Sequence, residues 1–226
     1  MKKLYILLLS LVTTASFSQA TDLFFSQYGE GSGSNKFLEI YNGTGQDVDL
    51  SNYAFPSVGN DPETPGTHEY WNDFPEGAVI ANGDVYVIAH PSASDEIKAT
   101  ADHFHQYLSN GDDGYALALG SEESYTYIDF IGDFNGDPGE GWDVAGVVEA
   151  TKNHTLTRKS TICQGNPDWD ASRGTNEEDS EWIVSEQNDS TGLGSHISEC
   201  SSDVSVLITS PANGVTLAPG TSEVSV

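Results

Sequence analysis

From Asp22 onward the chain is a succession of short runs that alternate apolar and polar residues, each closed by Asn, Asp, Gly or Pro at intervals of about ten residues. A pleated strand sends every second side chain to the same face, so each run offers one apolar face and then reverses. This rhythm predicts an all-β sandwich or barrel rather than a parallel α/β sheet. Residues 22–28 form an aromatic-rich strand that ends in the Gly- and Ser-rich stretch 29–35. In residues 36–41, Phe37 shares a face with Glu39 and Tyr41, and Leu38 shares the other with Ile40. Further strands are expected near residues 48–55, 115–119, 125–131, 154–160 and 181–184. Residues 77–90 predict the clearest hairpin, two β-branched runs around Asn82-Gly83. Residues 94–101 predict the single helix, with Ser94 as N-cap and Asp95 and Glu96 in its first turn.

The first twenty residues predict the compartment. Lys2 and Lys3 precede an apolar run from Leu4 to Val12, and Ser18-Gln19-Ala20 puts small residues where a signal peptidase cuts. Residues 1–20 are therefore expected to be a cleaved leader, and the protein is expected outside the cell or on its surface. No later stretch approaches the roughly 18 to 20 apolar residues of a membrane span.

The 35 acidic and 8 basic side chains leave a net charge of −27. A surface so anionic repels phosphate backbones, so direct nucleic-acid binding is not expected. Cys163 and Cys200 are the only cysteines. In an exported protein they are expected to pair, and the closed loop stabilises by about 3 to 4 kcal/mol in the chain-entropy picture. After Cys200, residues 201–226 read as a polar link and the first strands of an incomplete immunoglobulin-like domain, too short to enclose a core of its own.

Several segments share one resemblance. They are Leu23-Phe24-Phe25-Ser26-Gln27-Tyr28, the run from Lys36 to Gly45, Val48-Asp49-Leu50-Ser51, and Gly83-Asp84-Val85-Tyr86-Val87-Ile88-Ala89-His90. Later come Asp129-Phe130-Ile131-Gly132, Asp137-Pro138-Gly139-Glu140-Gly141-Trp142, His154-Thr155-Leu156-Thr157-Arg158-Lys159 and Asp179-Ser180-Glu181-Trp182. Together, in this order, they resemble bacterial lamin-tail domains across residues 22–200. The resemblance implies an immunoglobulin-like β-sandwich without catalytic residues, an accessory module of exported proteins, some of them nucleases or other hydrolases. Arg158 and Lys159 read as an edge-strand charge pair that discourages aggregation.

No nucleophile elbow, P-loop, His-Glu-x-x-His or Cys-x-x-Cys motif occurs. Three weaker constellations remain. Asp133, Asn135, Asp137, Glu140 and Asp143 place oxygen ligands along one loop, a candidate calcium site that is not an EF-hand because Pro138 stands where the sharp turn wants glycine. Asn110-Gly111-Asp112-Asp113-Gly114 is a second acidic turn. His103 and His105 would project from one face of a strand towards a zinc ion, with His90 as a possible third ligand and Asp102 on the opposite face. Tyr70, Trp71 and Phe74 lie in a proline-flanked loop from which aromatic rings can stack on sugars or anchor a partner. The expected function is a non-catalytic extracellular module that binds or positions a larger secreted protein on a surface, polymer or partner. The alternative is the accessory N-terminal domain of a secreted hydrolase, most readily a nuclease, whose catalytic part lies beyond residue 226.

Overall fold

The computed structural model describes residues 19–200. The expected leader, apart from its last two residues, and the expected second β domain at 201–226 lie outside the described residues. Within them, strands run in chain order as β1 (Phe24–Glu30), β2 (Lys36–Tyr41), β3 (Val48–Asp49), β4 (Tyr53–Ala54), β5 (Ser57–Val58) and β6 (Val79–Ile80). They continue as β7 (Val85–Ala89), β8 (His103–Phe104), β9 (Gly114–Ser121), β10 (Ser124–Ile131), β11 (Thr155–Arg158) and β12 (Trp182–Ser185). One six-stranded sheet has the order β12-β11-β1-β2-β7-β8, and a second is built on β10-β9-β4 with β5 also on β9. All pairings are antiparallel except β7 with β8. The inner faces meet over one core that includes Phe25, Leu38, Ile40, Phe55, Leu117 and Trp182. This is an all-β sandwich, as the alternation predicts, of the immunoglobulin-like form that the resemblance implies.

Three local expectations need correction. Val79–Ile80 and Val85–Ala89 do not pair with each other. β6 pairs with β3, while β7 joins β2 in the large sheet. Asn82-Gly83 still turns the chain, with Gly83 at φ 79°. The buried Asn42 side chain takes the Ile80 carbonyl at 2.8 Å, which is one reason the two runs part. The helix at 94–101 forms as α1 (Asp95–Thr100), capped by Ser94 Oγ. A second short helix, α2 (Trp169–Arg173), joins it, capped by Asp168.

Arg158 is the third correction. β11 lies inside the sheet between β12 and β1, and Arg158 is fully buried. Its guanidinium donates to Asp129 Oδ2 at 2.5 Å, Glu181 Oε2 at 2.5 Å, Ser172 Oγ at 3.1 Å and the Phe25 carbonyl at 3.1 Å. It also lies over the Trp182 ring, 4.0 Å from its centroid. Asp129 stands on β10, in the opposite sheet, just past a register shift. Beside a matching irregularity in β1, its Oδ2 accepts the Phe25 N–H at 2.8 Å, so one carboxylate ties the two sheets together. Burial pushes this carboxyl up, and Arg158 with the amides of Asn166 and Phe25 pulls it back.

The outer face of the large sheet is covered as well. Phe37 packs with Ala89, Ala93 and Ile97 under α1. An irregular strap, residues 186–200, crosses the same face. Asn188 takes hydrogen bonds from the 31–35 turn, Gln27 donates to the Thr191 carbonyl, and His196 packs on Phe24 and Tyr41. Burial pulls His196 down to about 4. The strap closes over Glu39, whose carboxylate accepts from Ser26 Oγ at 2.6 Å and from the Gly194 N–H at 2.7 Å. Burial dominates there and raises the Glu39 carboxyl from 4.5 to about 7.

Because the folded value lies above the unfolded one, Glu39 favours folding below about pH 4.5, and that contribution is lost as the pH rises through 7. Glu39→Gln mimics the protonated acid. It should stabilise the protein by about 2 to 3 kcal/mol at pH 8, change little at pH 4, and flatten the pH dependence between. Urea melts of both proteins at the two pH values check this.

Candidate functional site

Loops at one end of the sandwich border a hollow of about 420 Å³. Four stretches build it: residues 33–36 at the turn into β2, the segment from β5 to Tyr70, His90 just after β7, and the connection from β8 into β9. Lys36 opens β2 and is almost wholly buried. Its ammonium donates to Asn110 Oδ1 at 2.6 Å and lies 3.4 Å from Glu30 Oε1. Asn110 and Asp113 face each other across a tight turn, with the Asn110 N–H donating to Asp113 Oδ2 at 3.1 Å. Burial raises the Asp113 carboxyl, against the pull of that amide and of Lys36.

Val58, Leu108 and Tyr115 form the apolar part of the lining, and the Tyr115 hydroxyl donates to the Tyr107 carbonyl at 3.0 Å. Tyr70 and Tyr107 stand at the rim, 61% and 74% exposed. Among the described residues neither rim hydroxyl has a hydrogen-bond partner. Tyr70 also borders a second hollow of about 440 Å³, which His68 lines too. Beyond it His68, Trp71, Tyr125 and Tyr127 form a connected set of ring contacts. The His68 Nδ1 lies 2.9 Å from the Tyr127 hydroxyl, and burial holds the imidazole below its ordinary range.

Of the loop aromatics singled out in the sequence, Tyr70 is at the hollow and Trp71 is half-buried, its indole donating to Asp73 at 2.8 Å. Phe74 is not available to a ligand. It is buried against Phe55 and Tyr86, at 5.2 and 5.5 Å between ring centres, because the loop folds back under the sandwich edge. Tyr107 and Lys36 had no signal of their own, since they join the site only when four separate segments meet.

The expected calcium loop spends its oxygens locally. Asp133 accepts from the Asn135 N–H and Asp137 from the Gly139 N–H, both at 2.7 Å. Asp143 accepts from the Glu149 N–H at 2.9 Å, and Glu140 pairs with Lys152. Asp133, Asn135, Asp137 and Asp143 border a shallow hollow that Arg173 shares. The histidine pair packs against an aromatic ring, and His103 Nδ1 is buried without a hydrogen-bond partner among the described residues. His103 and His105 both stand edge-on to Phe55, their rings 6.3 Å apart, and burial lowers both imidazoles. Asp102 accepts the Val87 N–H and His90 Nδ1 the Ser92 N–H. Among the described residues, no group of three or more His, Cys, Asp or Glu side chains is placed to hold a metal ion. No described helix is long and apolar enough to cross a membrane.

Cys163 and Cys200 form a disulfide, with Cα atoms 5.4 Å apart. It closes the end of the strap onto the segment after β11, where the Glu199 N–H donates to the Ser160 carbonyl at 2.8 Å.

No curated protein and no solved structure matches the chain. The family model of the lamin tail domain matches residues 16–134, just over half of the sequence. The match stops at Phe134, short of β11 and β12, although both strands complete the large sheet beside β1. With this match on a two-sheet sandwich, the chain belongs to the lamin tail domain family.

Proposed function

We propose that the protein is a non-catalytic module working outside the cell, which holds a larger exported protein against a surface, polymer or partner through the loop end of its sandwich. The observation that carries this reading is the contrast between two sets of polar groups. Arg158, Asp129 and Glu181 are joined to one another and to backbone groups inside the fold, which suits a scaffold. The open hollow presents exposed tyrosines at its rim. The ionisable groups in its lining are already engaged, Lys36 by Asn110 and Glu30, Asp113 by the Asn110 N–H and His90 by the Ser92 N–H, which suits contact rather than bond-breaking. The leader-like N-terminus and the disulfide support an oxidising, extracytoplasmic setting.

Purified chain incubated with duplex DNA, RNA and a soluble glucan, in millimolar magnesium, calcium or zinc, should give no product above the protein-free control. Turnover that a single point substitution abolishes would overturn the non-catalytic reading.

A further inference from the structure

We infer that the hollow rimmed by Tyr70 and Tyr107 is a binding site for an uncharged saccharide chain, an inference that rests on the reading of the module as a contact device. A site for a small organic ligand is a concave space of about 300 to 1,000 Å³ with few, well-placed polar groups. The hollow, at about 420 Å³, is of that size. The faces of pyranose rings present C–H groups, which lie well against aromatic rings, and the two rim tyrosines are among the most exposed large side chains of the described residues. Their free hydroxyls add a donor and an acceptor each.

The remaining polar groups suit vicinal hydroxyls. The Asn110 amide nitrogen can donate while its oxygen is held by Lys36. Asp113 accepts, and the Lys36 ammonium has further donors beyond the one given to Asn110. Neighbouring donors and acceptors of this kind match a hydroxyl, which does both.

Charge selects the class of sugar. Glu30 and Asp113 outnumber Lys36, and the molecule as a whole carries −27, so uronic or sulfated chains are repelled. A neutral ligand meets no such penalty. Length follows from Tyr70, which borders both this hollow and the neighbouring one lined by His68. A chain longer than one ring can pass Tyr70 from one to the other.

Calorimetric titration of the purified full chain with cellotriose, laminaritriose and mannotriose tests the assignment. At least one should bind with a dissociation constant on the order of 0.1 to 1 mM. Tyr70→Ala and Tyr107→Ala should each weaken it about tenfold, as expected for a lost stacking contact. Both side chains are exposed, so melting temperatures should stay unchanged. Trigalacturonate should bind at least about tenfold more weakly than the neutral chain. The saccharide site is overturned if none of the three neutral chains binds at about 10 mM, if the tyrosine variants bind as well as the parent, or if trigalacturonate binds best. Those results leave the non-catalytic reading untouched. Cleavage of a bound trisaccharide overturns that reading instead.

Discussion

Replacing Arg158 by methionine should lower the unfolding free energy by about 3 to 5 kcal/mol, measured by urea denaturation at neutral pH. Methionine keeps the apolar stem but leaves Asp129 buried with no cation beside it. The backbone N–H groups of Phe25, Phe130 and Asn166 still point at that carboxylate, but they do not cancel its charge. Glu181 loses its partner too, and Trp182 loses the guanidinium stacked over it. The Lys152–Glu140 pair is the control. Its side chains are 33% and 64% exposed, so Lys152→Met should change stability by no more than about 1 kcal/mol. Equal effects at the two sites would mean that the buried cluster does not tie the sheets together.

Opening the disulfide should produce the second large effect, a loss of about 2 to 4 kcal/mol for the Cys163→Ser, Cys200→Ser double variant. The bond closes a separation of 37 positions, and Cys200 is itself buried at the end of the strap. Without it the unfolded chain gains loop freedom, and the strap over Glu39 and Phe24 is anchored by hydrogen bonds, the His196 ring and the packing of Leu193 beside Phe37. A consequence follows for pH. If the strap loosens, Glu39 regains water, and the loss of stability between pH 4.5 and 7 should become shallower in the double variant than in the parent. A double variant as stable as the parent would show that the strap holds by its own contacts.

Much of the scaffold was legible in the sequence because local periodicity decides it. The alternation of Phe37, Leu38, Glu39 and Ile40 does place two faces, and Leu38 and Ile40 enter the main core. Ser94 caps α1, and the two cysteines pair. Long-range pairing decided the rest. Arg158 looked like a solvent-facing charge because its partners, Asp129 and Glu181, stand 29 and 23 positions away. The Asn82-Gly83 turn was correct, but which strands its flanking runs join depends on β3 and β2, which compete for them. Phe74 looked accessible because prolines flank it, although folding back against Phe55 buries more apolar area than exposure would allow.

The acidic turn at 110–114 was visible as a turn. Its place in a hollow with Lys36, Tyr70 and Tyr107 depends on four loops meeting, and no spacing rule encodes that. The carboxylates of 133–143 have the spacing of a cation loop. The same spacing serves turns in which each side chain binds the amide two residues on, as Asp133 and Asp137 do.

The most direct test is a two-dimensional amide NMR titration of the chain with whichever of the three neutral trisaccharides binds most tightly, followed for hours in one tube. Shifts should concentrate on residues 33–36, 57–59, 70 and 106–115, with the sugar's anomeric signals unchanged throughout. Shifts centred on residues 133–143, or new reducing-end signals growing with time, would contradict a module that grips at its loop end and performs no reaction.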